Sequence, residues 1–332
     1  MKSFLKRFFP FATIPQIFRG FLIDFSRYIK YTSCTRLPSH KSQENLVAKI
    51  VAQYHALEKG LCMPEFRYGF GNSLLSDLLD SVGLYSSVYG YDHQCLRDTA
   101  SAISEYFHIH ADHMSLLNGR NVKRGKQFLE DMFSLSTFEL HQQDTIESHE
   151  CFKNSIYFRE FALSRRSHRF FDGTPVSLEK LKQAIDIARS APSSCNRQSS
   201  HVHIYTNKLL VSQLLDLQGG NRGYGHLGGG LLLVTSDIKK TINVNERHMP
   251  FVDGGIFVMS LLYALHSQNV AACPLNCYFP PRVESNVRKL SGIGDNECIV
   301  AMVICGNLSG KIMAVKSPRF PLNTFYTVHT SS

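Results

Sequence analysis

Three arginines and a histidine fall within six residues of the segment SRRSHRFFDGTP, residues 164–175. Arg165, Ser167 and Arg169 alternate along the chain, so an extended backbone points all three to the same side. Arginine binds phosphate through a bidentate fork of N–H donors, which a serine hydroxyl can supplement. The spacing predicts a phosphate-binding cradle, and a solvated basic turn is the alternative that this segment alone leaves open.

A helix and a polar turn are predicted directly after the basic segment. Ser177 suits the N-cap position, and one apolar helical face follows it as Leu178, Leu181, Ile185 and Ala188. Pro192 ends this helix, and the next residues read SSCNRQSS ahead of the apolar run HVHIY. Hydroxyls, an amide and exposed backbone N–H groups suit a polar ligand. The predicted ligand-contacting residues of this turn are Pro192, Ser193, Ser194 and Asn196.

The ordered series R-R-S-x-R, D-G-T-P-V, a helix and A-P-S-S-x-N-x-Q resembles the opening of the nitroreductase family of FMN-dependent oxidoreductases. The resemblance extends from about residue 152 to residue 326 and says little about the first 150 residues. It implies an α+β fold, in which a nitroreductase-like mixed sheet is flanked by helices.

The resemblance also implies flavin contacts further along the chain. Asn221 corresponds to an asparagine that contacts the flavin ring and precedes a central strand. The backbone N–H groups of Asn276 and Cys277, in the sequence CPLNCY, correspond to those that meet flavin N5. Lys316 and Arg319, in KSPRFPL, correspond to a basic pair that closes on the phosphate.

The implied roles within the first two motifs divide by position. Arg165 and Ser167 bind the phosphate, and Arg166 belongs to the same cofactor-binding motif. Arg169 lies near the N1–O2 edge of the ring, where positive charge stabilises the reduced flavin. The ribityl and pyrimidine side is lined by Ser193, Ser194 and Asn196.

The resemblance implies FMN as the cofactor and NADH or NADPH as the electron donor. Hydride then passes to a small organic acceptor: a nitro compound, quinone, enone or biosynthetic intermediate. Because the flavin carries the redox chemistry, no catalytic side chain and no metal are expected. Family members dimerise, which implies a homodimer. Two alternatives stay open: a flavin-dependent oxidase or dehydrogenase of a specific biosynthetic substrate, and a degenerate flavoprotein that acts as a membrane-associated binding subunit.

One departure from the family concerns the roof of the substrate pocket. Family members carry a long helical excursion that helps form the dimer and this roof, whereas only DIKKTINVNERHMPFV separates Ser236 from Asp253 here. The N-terminal half is the candidate for a replacement roof. The following run, DGGIFVMSLLYALHSQNV, is apolar nearly all round, which predicts a fully buried helix with Asp253 as its N-cap.

A change of pattern near residue 150 predicts two domains in the 332 residues. In residues 1–150, apolar side chains recur at helical spacing, which predicts an all-helical region of unknown role. Residues 151–332 are predicted to form the FMN-binding domain, and LHQQDTIESHE, residues 140–150, is the predicted linker. In the segment 55–71, a helix end capped by Gly60 is expected, and a loop over a pocket is the alternative. The predicted strands are residues 201–205, 231–235 and 298–306.

The first 31 residues are aromatic and basic. Lysine, arginine and two prolines interrupt them, so the sequence predicts neither a signal peptide nor a membrane span. Residues 17–31 predict an amphipathic helix, which is expected to pack on the protein's own core, with peripheral membrane contact through residues 1–31 as the alternative. Its apolar face consists of Phe18, Phe21, Leu22, Phe25 and Tyr28.

The net charge of +9 favours an anionic partner. No aromatic and basic module of an RNA or DNA binder appears, which favours a small phosphorylated ligand over nucleic acid. Nine cysteines without a C-x-x-C pair are typical of reduced thiols. The sequence therefore predicts a cytoplasmic protein without a disulfide framework or zinc site.

Overall fold

The computed structural model describes residues 14–34, 42–64, 66–135, 157–313, 315, 317 and 319–330. The first five helices are α1 (Ile14–Tyr31), α2 (Gln43–Leu61), α3 (Asn72–Tyr89), α4 (Gln94–Ile109) and α5 (Gly119–Leu135). The later helices are α6 (Phe158–Ser164), α7 (Leu178–Ala188), α8 (Lys208–Gln218), α9 (Met249–Ser267) and α10 (Pro281–Ser291). The strands are β1 (Ser200–Tyr205), β2 (Gly230–Asp237), β3 (Ala271–Leu275) and β4 (Glu297–Gly306). The predicted α+β fold with a helical N-terminal region is confirmed.

Helices α2–α5 enclose a hydrophobic core of their own. Helix α2 begins with a capping box, in which the Ser42 hydroxyl accepts the Asn45 N–H and the Asn45 side chain accepts the Ser42 N–H. Members of this core lie between residues 46 and 132, whereas those of the two cores around the sheet lie between 171 and 305. The linker predicted at 140–150 lies outside the described residues, so the domain boundary stays a prediction.

The end of α2 depends on a close aromatic contact. The helix stops at Leu61 with Cys62 as its C-cap, so the predicted helix end is correct and the prediction that Gly60 caps it is wrong. Gly60 lies inside the last turn, where a methyl group would come within 2.1 Å of the Phe70 ring. The glycine is therefore explained by packing rather than by a left-handed cap.

The four strands form one sheet in the order β1-β2-β4-β3, and neighbouring strands pair antiparallel. The three predicted strands correspond to β1, β2 and β4. The sequence analysis assigned no strand to β3, whose residues AACPL include Pro274. A proline is tolerated in this strand because β3 lies at the edge of the sheet.

Helices cover both faces of the sheet. Successive side chains from Leu231 to Val234 of β2 point to opposite faces and are all apolar, so both faces must be covered. Leu232 and Val234 pack towards α7 and α9, whereas Leu231 and Leu233 pack towards α8 and α10. All four side chains are fully buried. Strand β2 consequently reads as an uninterrupted apolar run rather than an alternating one.

The apolar composition of helix α9 predicted a fully buried helix. The helix crosses the sheet, but one side of it is exposed. Phe257, Leu261 and Leu265 face the sheet, whereas Val252 and Ile256 are 49% and 42% exposed. The helix begins at Met249, so the prediction that Asp253 is its N-cap is wrong. Among the described residues, α9 is the one helix long and apolar enough to cross a membrane, and 44% of it is buried inside the protein.

Helix α1 forms as predicted, but its aromatic face does not pack on the core. Phe18, Phe21, Leu22 and Phe25 are between 48% and 69% exposed. The opposite face attaches to the C-terminal part, because Arg27 pairs with the carboxylates of α10 and of the loop after it. Charge pairing on the polar side therefore decides which side of the helix faces inwards.

Gly60→Ala is expected to lower the free energy of unfolding by about 1–3 kcal/mol, because the new methyl would overlap the Phe70 ring. Gly83→Ala in α3 is the matched control, since nothing lies within 4 Å of its added methyl. This control is expected to be as stable as the parent or about 1 kcal/mol more stable. Urea unfolding of both variants measures the difference, and equal stabilities would contradict the packing role of Gly60.

Candidate cofactor site

The basic segment leaves α6 in an extended conformation and runs beside β3. Ser167 forms a parallel bridge with Ala272, and the His168 N–H donates to the Ala272 carbonyl at 3.0 Å. This pairing excludes a simple solvated turn, which the sequence alone left open. The segment is an additional strand-like layer on the free edge of the sheet.

Arg165 places unpaired hydrogen-bond donors inside the protein. Its Nε and Nη1 atoms are buried and have no hydrogen-bond partner within the described residues. Buried donors without an acceptor are costly, by about 1–3 kcal/mol or more for a charged group. They border a small recess lined by Arg165, Arg166, His168, Leu262, His266, Val270 and Ala272. The charge of this lining fits an anion.

Two histidines of this recess were missed by the sequence analysis. Burial lowers the pKa of His168, and the neighbouring His266 and Arg165 lower it further. Burial and then Arg165 lower the pKa of His266, whose Nε2 lies 2.7 Å from the Ser164 hydroxyl. His266 lies near the end of α9, a hundred residues away in sequence, so no local motif connects it to the basic segment.

The other two arginines of the motif point elsewhere. Arg166 donates to the Leu163 carbonyl at 2.6 Å and so closes the end of α6. Arg169 lies further along β3, with its guanidinium carbon 5.8 Å from the centre of the Tyr224 ring. Burial raises the pKa of Tyr224 to about 12, so this phenol stays protonated beside Arg169. Arg165 and Arg169 therefore lie at different levels of the sheet edge, and Arg166 turns back to α6.

The structure brings together the predicted residues at the far end of β3. The Asn221 side chain donates to the Leu215 carbonyl and to Gln218 Oε1, and Gln218 Nε2 donates to the Asn276 carbonyl at 3.1 Å. This chain of hydrogen bonds fixes the turn after α8 against the end of β3. Contact of Asn221 and Asn276 with a flavin ring stays a prediction.

Cys277 follows directly in the same loop. Burial raises the pKa of its thiol to about 12, so it is protonated at neutral pH. A protonated, half-buried thiol behaves as a small apolar group rather than as a nucleophile. The described cysteines are all free thiols.

The polar turn after α7 is built rigidly around two charged residues. The Asp253 carboxylate accepts the Ser194 N–H at 3.0 Å and the Ser194 hydroxyl at 3.2 Å. Arg197, which the sequence analysis missed, is buried and pairs with both carboxylate oxygens of Glu246 at 2.7 and 3.0 Å. Its Nε also donates to the Ser194 carbonyl at 2.8 Å.

The remaining residues of the turn are exposed or strained. Pro192 and Asn196 are exposed, and the Ser193 hydroxyl accepts the Gln198 N–H at 2.9 Å. Asn196 and Gln198 have φ values of 52° and 51°, in the left-handed region. Non-glycine residues in this conformation persist only where the surroundings fix them, and they concentrate at functional sites.

The two groups of predicted residues lie near opposite ends of α9. Ser194 binds Asp253 near the start of the helix, whereas Arg165 shares its recess with His266 near the end. Thirteen residues at about 1.5 Å each separate these points by about 20 Å. A single chain therefore does not bring Ser193, Ser194 and Asn196 to Arg165.

The C-terminal basic pair is described only in part. Arg319 is exposed and its Nη1 donates to the Ser317 carbonyl. Lys316 lies outside the described residues. The approach of both to the phosphate stays a prediction.

Comparisons with known proteins agree on the class of the C-terminal half. Residues 162–220 match the family described as the nitroreductase family. A 4-nitrobenzoate reductase of Pseudomonas putida is 25% identical over 208 residues, which are 49% of this chain and 90% of that enzyme. The resemblance inferred from the sequence is confirmed over residues 162–220, and the two similarities together support an oxidoreductase enzyme.

Solved structures of nitroreductase family proteins are also similar. One from Clostridium difficile is 23% identical and covers 52% of this chain and 97% of its own, with a TM-score of 0.43. One from Streptococcus pneumoniae is 17% identical and covers 52% of this chain and 100% of its own, with a TM-score of 0.44. The similarity in these structures extends over about half of this chain.

The recess at Arg165 is expected to bind sulfate more tightly as the pH falls. Because the pKa values of His168 and His266 are lowered from 6.5, both imidazoles are neutral at pH 7 and gain charge only in acid. Sulfate stays dianionic, so about a tenfold gain in affinity is expected once the pH is well below 6.5. Calorimetric titration at constant ionic strength measures it. In a His168→Gln/His266→Gln variant the affinity should no longer depend on pH; an unchanged pH dependence would contradict the role of the two imidazoles.

Proposed function

We propose that this protein is an FMN-dependent oxidoreductase that takes hydride from NADH or NADPH and passes it to a small organic acceptor. The observation that carries the proposal is the buried, unpaired guanidinium edge of Arg165, which lies within the segment that matches the nitroreductase family. The name of the similar 4-nitrobenzoate reductase supports a nitroaromatic compound as one acceptor. A quinone, an enone and a biosynthetic intermediate are further candidates.

The residues at the edge of β3 fit FMN. The recess at Arg165 suits the phosphate, with Ser167 beside it and with Lys316 and Arg319 as proposed additions from the C-terminal segment. From the level of Arg165 to Asn276 the edge extends about 20 Å, at about 3.3 Å per residue, so there is room for a ring system beyond the phosphate. When bound, FMN supplies the hydride chemistry.

The chain's own residues position and tune that chemistry. Arg169 contributes positive charge along the edge, which stabilises negative charge that develops on a bound ring. The backbone N–H groups of Asn276 and Cys277 are proposed donors at the ring, in a loop that Gln218 holds in place. No described side chain near the edge is assigned as an acid or base.

We propose that two copies complete the site. Val252, Ile256 and Met259 form an apolar stripe on the outward face of α9, with exposures of 49%, 42% and 37%. An exposed apolar stripe of this kind is typical of a subunit interface. A second copy on this stripe would supply the turn of Ser193, Ser194 and Asn196 that lies about 20 Å from Arg165 within one chain.

The N-terminal region is the proposed roof of the substrate pocket. Helix α2 lies against residues 194–196 and 238–240, directly on the polar turn. The Asn45 side chain donates to the Lys239 carbonyl, and the Glu44 carboxylate lies 3.3 Å from Lys239 Nζ. This contact also favours the alternative of an oxidase or dehydrogenase with one specific biosynthetic substrate.

We place the boundary of the two domains at residue 150. The free cysteines support a cytoplasmic location.

Arg165→Ala is expected to lower FMN affinity at least about tenfold, because a hydrogen bond to a charged group contributes about 1.5–3 kcal/mol. Arg189→Ala is the matched control, since Arg189 is exposed and pairs only with Asp186 on the surface. The purified protein is examined for bound flavin by absorption and mass, and for anaerobic bleaching by NADH and by NADPH.

The possible results separate the alternatives. Flavin that NADH and NADPH both fail to reduce would favour the oxidase or dehydrogenase. Failure of the parent protein to bind FMN would refute the proposal, and equal FMN affinity of the two variants would refute the phosphate site.

A further inference from the structure

Helix α1 presents a row of aromatic side chains to solvent. Phe18, Phe21 and Phe25 are 62%, 69% and 63% exposed, and Leu22 is 48% exposed. Their spacing of three and four residues places them on one face of the helix. Single exposed apolar residues need no explanation, but four neighbouring ones on one face mark an interaction surface.

The orientation of this face is fixed from behind. Arg27 donates to Asp295 at 3.1 Å and pairs with Glu284 on α10. The Tyr31 hydroxyl donates to Asp295 at 3.2 Å, and the Tyr28 hydroxyl donates to the Asn243 carbonyl at 3.0 Å. The helix is thus attached to the protein by its polar side, and its aromatic side is held outwards.

The charge around the aromatic face indicates what it binds. Helix α1 carries three basic residues, Arg19, Arg27 and Lys30, and one acidic residue, Asp24. At about 100° per residue, Arg19 and Lys30 lie on one flank of the aromatic face. Both are exposed, and Lys30 Nζ also lies 3.7 Å from Asp295. Aromatic residues with flanking cations match the boundary between the headgroups and acyl chains of an anionic bilayer.

A second copy of this chain fits the same face poorly. Two α1 helices packed face to face and antiparallel would bring the cations of both copies together, whereas a parallel pair would offer a single Asp24 to the two cations of its partner. Lipid phosphates instead supply the opposite charge along the whole helix. A bilayer is therefore the partner that the charge of this face selects.

We propose that α1 docks the protein on the surface of an anionic membrane, with Phe18, Phe21, Leu22 and Phe25 inserted at the interface. The helix lies in the plane of the membrane and does not cross it, because its opposite face is bound to the protein. Each flanking cation near an anionic leaflet strengthens binding about fivefold. This proposal does not depend on the flavin or its chemistry.

The test is flotation of the full chain with vesicles of phosphatidylcholine alone or mixed with phosphatidylglycerol. We expect at least tenfold stronger partition into the anionic vesicles, and loss of most of this binding in Phe21→Ser/Phe25→Ser. Leu209→Ser is the matched control, since Leu209 on α8 is also 69% exposed. Arg19→Gln should weaken binding about fivefold, the effect of one flanking cation.

Two outcomes would overturn the proposal. One is equal partition of the parent and Phe21→Ser/Phe25→Ser into anionic vesicles. The other is a parent protein that binds neither kind of vesicle but forms an oligomer, which the double variant does not form. This result would assign the aromatic face to a second copy. Because the four side chains are exposed, unfolding of the variants is not expected, and circular dichroism checks this.

Discussion

The extended pairing of the basic segment with β3 is the constraint on which the candidate site depends. The His168 N–H donates to the Ala272 carbonyl, and this bond sets the direction in which residues 165–169 run. Arg165 is thereby placed under the end of α9 and Arg169 beside Tyr224. The positions of Arg165 and Arg169 along the sheet edge follow from backbone geometry, whereas the residue types decide what this edge can bind.

The second part of the site is held by charge rather than by regular structure. Left-handed residues cost about 1–3 kcal/mol each, and the turn contains Cys195, Asn196 and Gln198 in this conformation. Arg197 and Asp253 fix the turn from both sides, because a buried bidentate ion pair and a doubly used carboxylate leave it little freedom. The rigidity of this turn is consistent with a surface that is formed before its ligand arrives.

Local sequence patterns predicted the fold class well, but they predicted poorly which helix faces are buried and which residues cap the helices. Hydrophobic periodicity identified the N-terminal helices, and β-branched runs identified β1, β2 and β4. The same patterns identified α1 and α9 as helices with apolar faces. They did not show which faces would be buried, because periodicity does not reveal what packs against a face. Asp253 looked like a cap because an acidic residue precedes an apolar run, yet its carboxylate is used across the fold by Ser194.

The site residues divide in the same way. The two arginine and serine motifs were proposed as cofactor contacts because their spacing is local. His266 and Arg197 were missed because each acts through a contact with residues distant in sequence or through burial, which composition does not encode. The residues that the sequence analysis could not predict are those whose roles depend on contacts between distant parts of the chain.

The contact of α2 with the segment 238–241 has a consequence for modularity. Asn45 in α2 and Thr32 after α1 bond to Lys239 and Thr241, which precede α9. Removal of the first 150 residues would leave these acceptors and the buried Thr241 facing water. The C-terminal half consequently depends on residues of the N-terminal half to complete these hydrogen bonds.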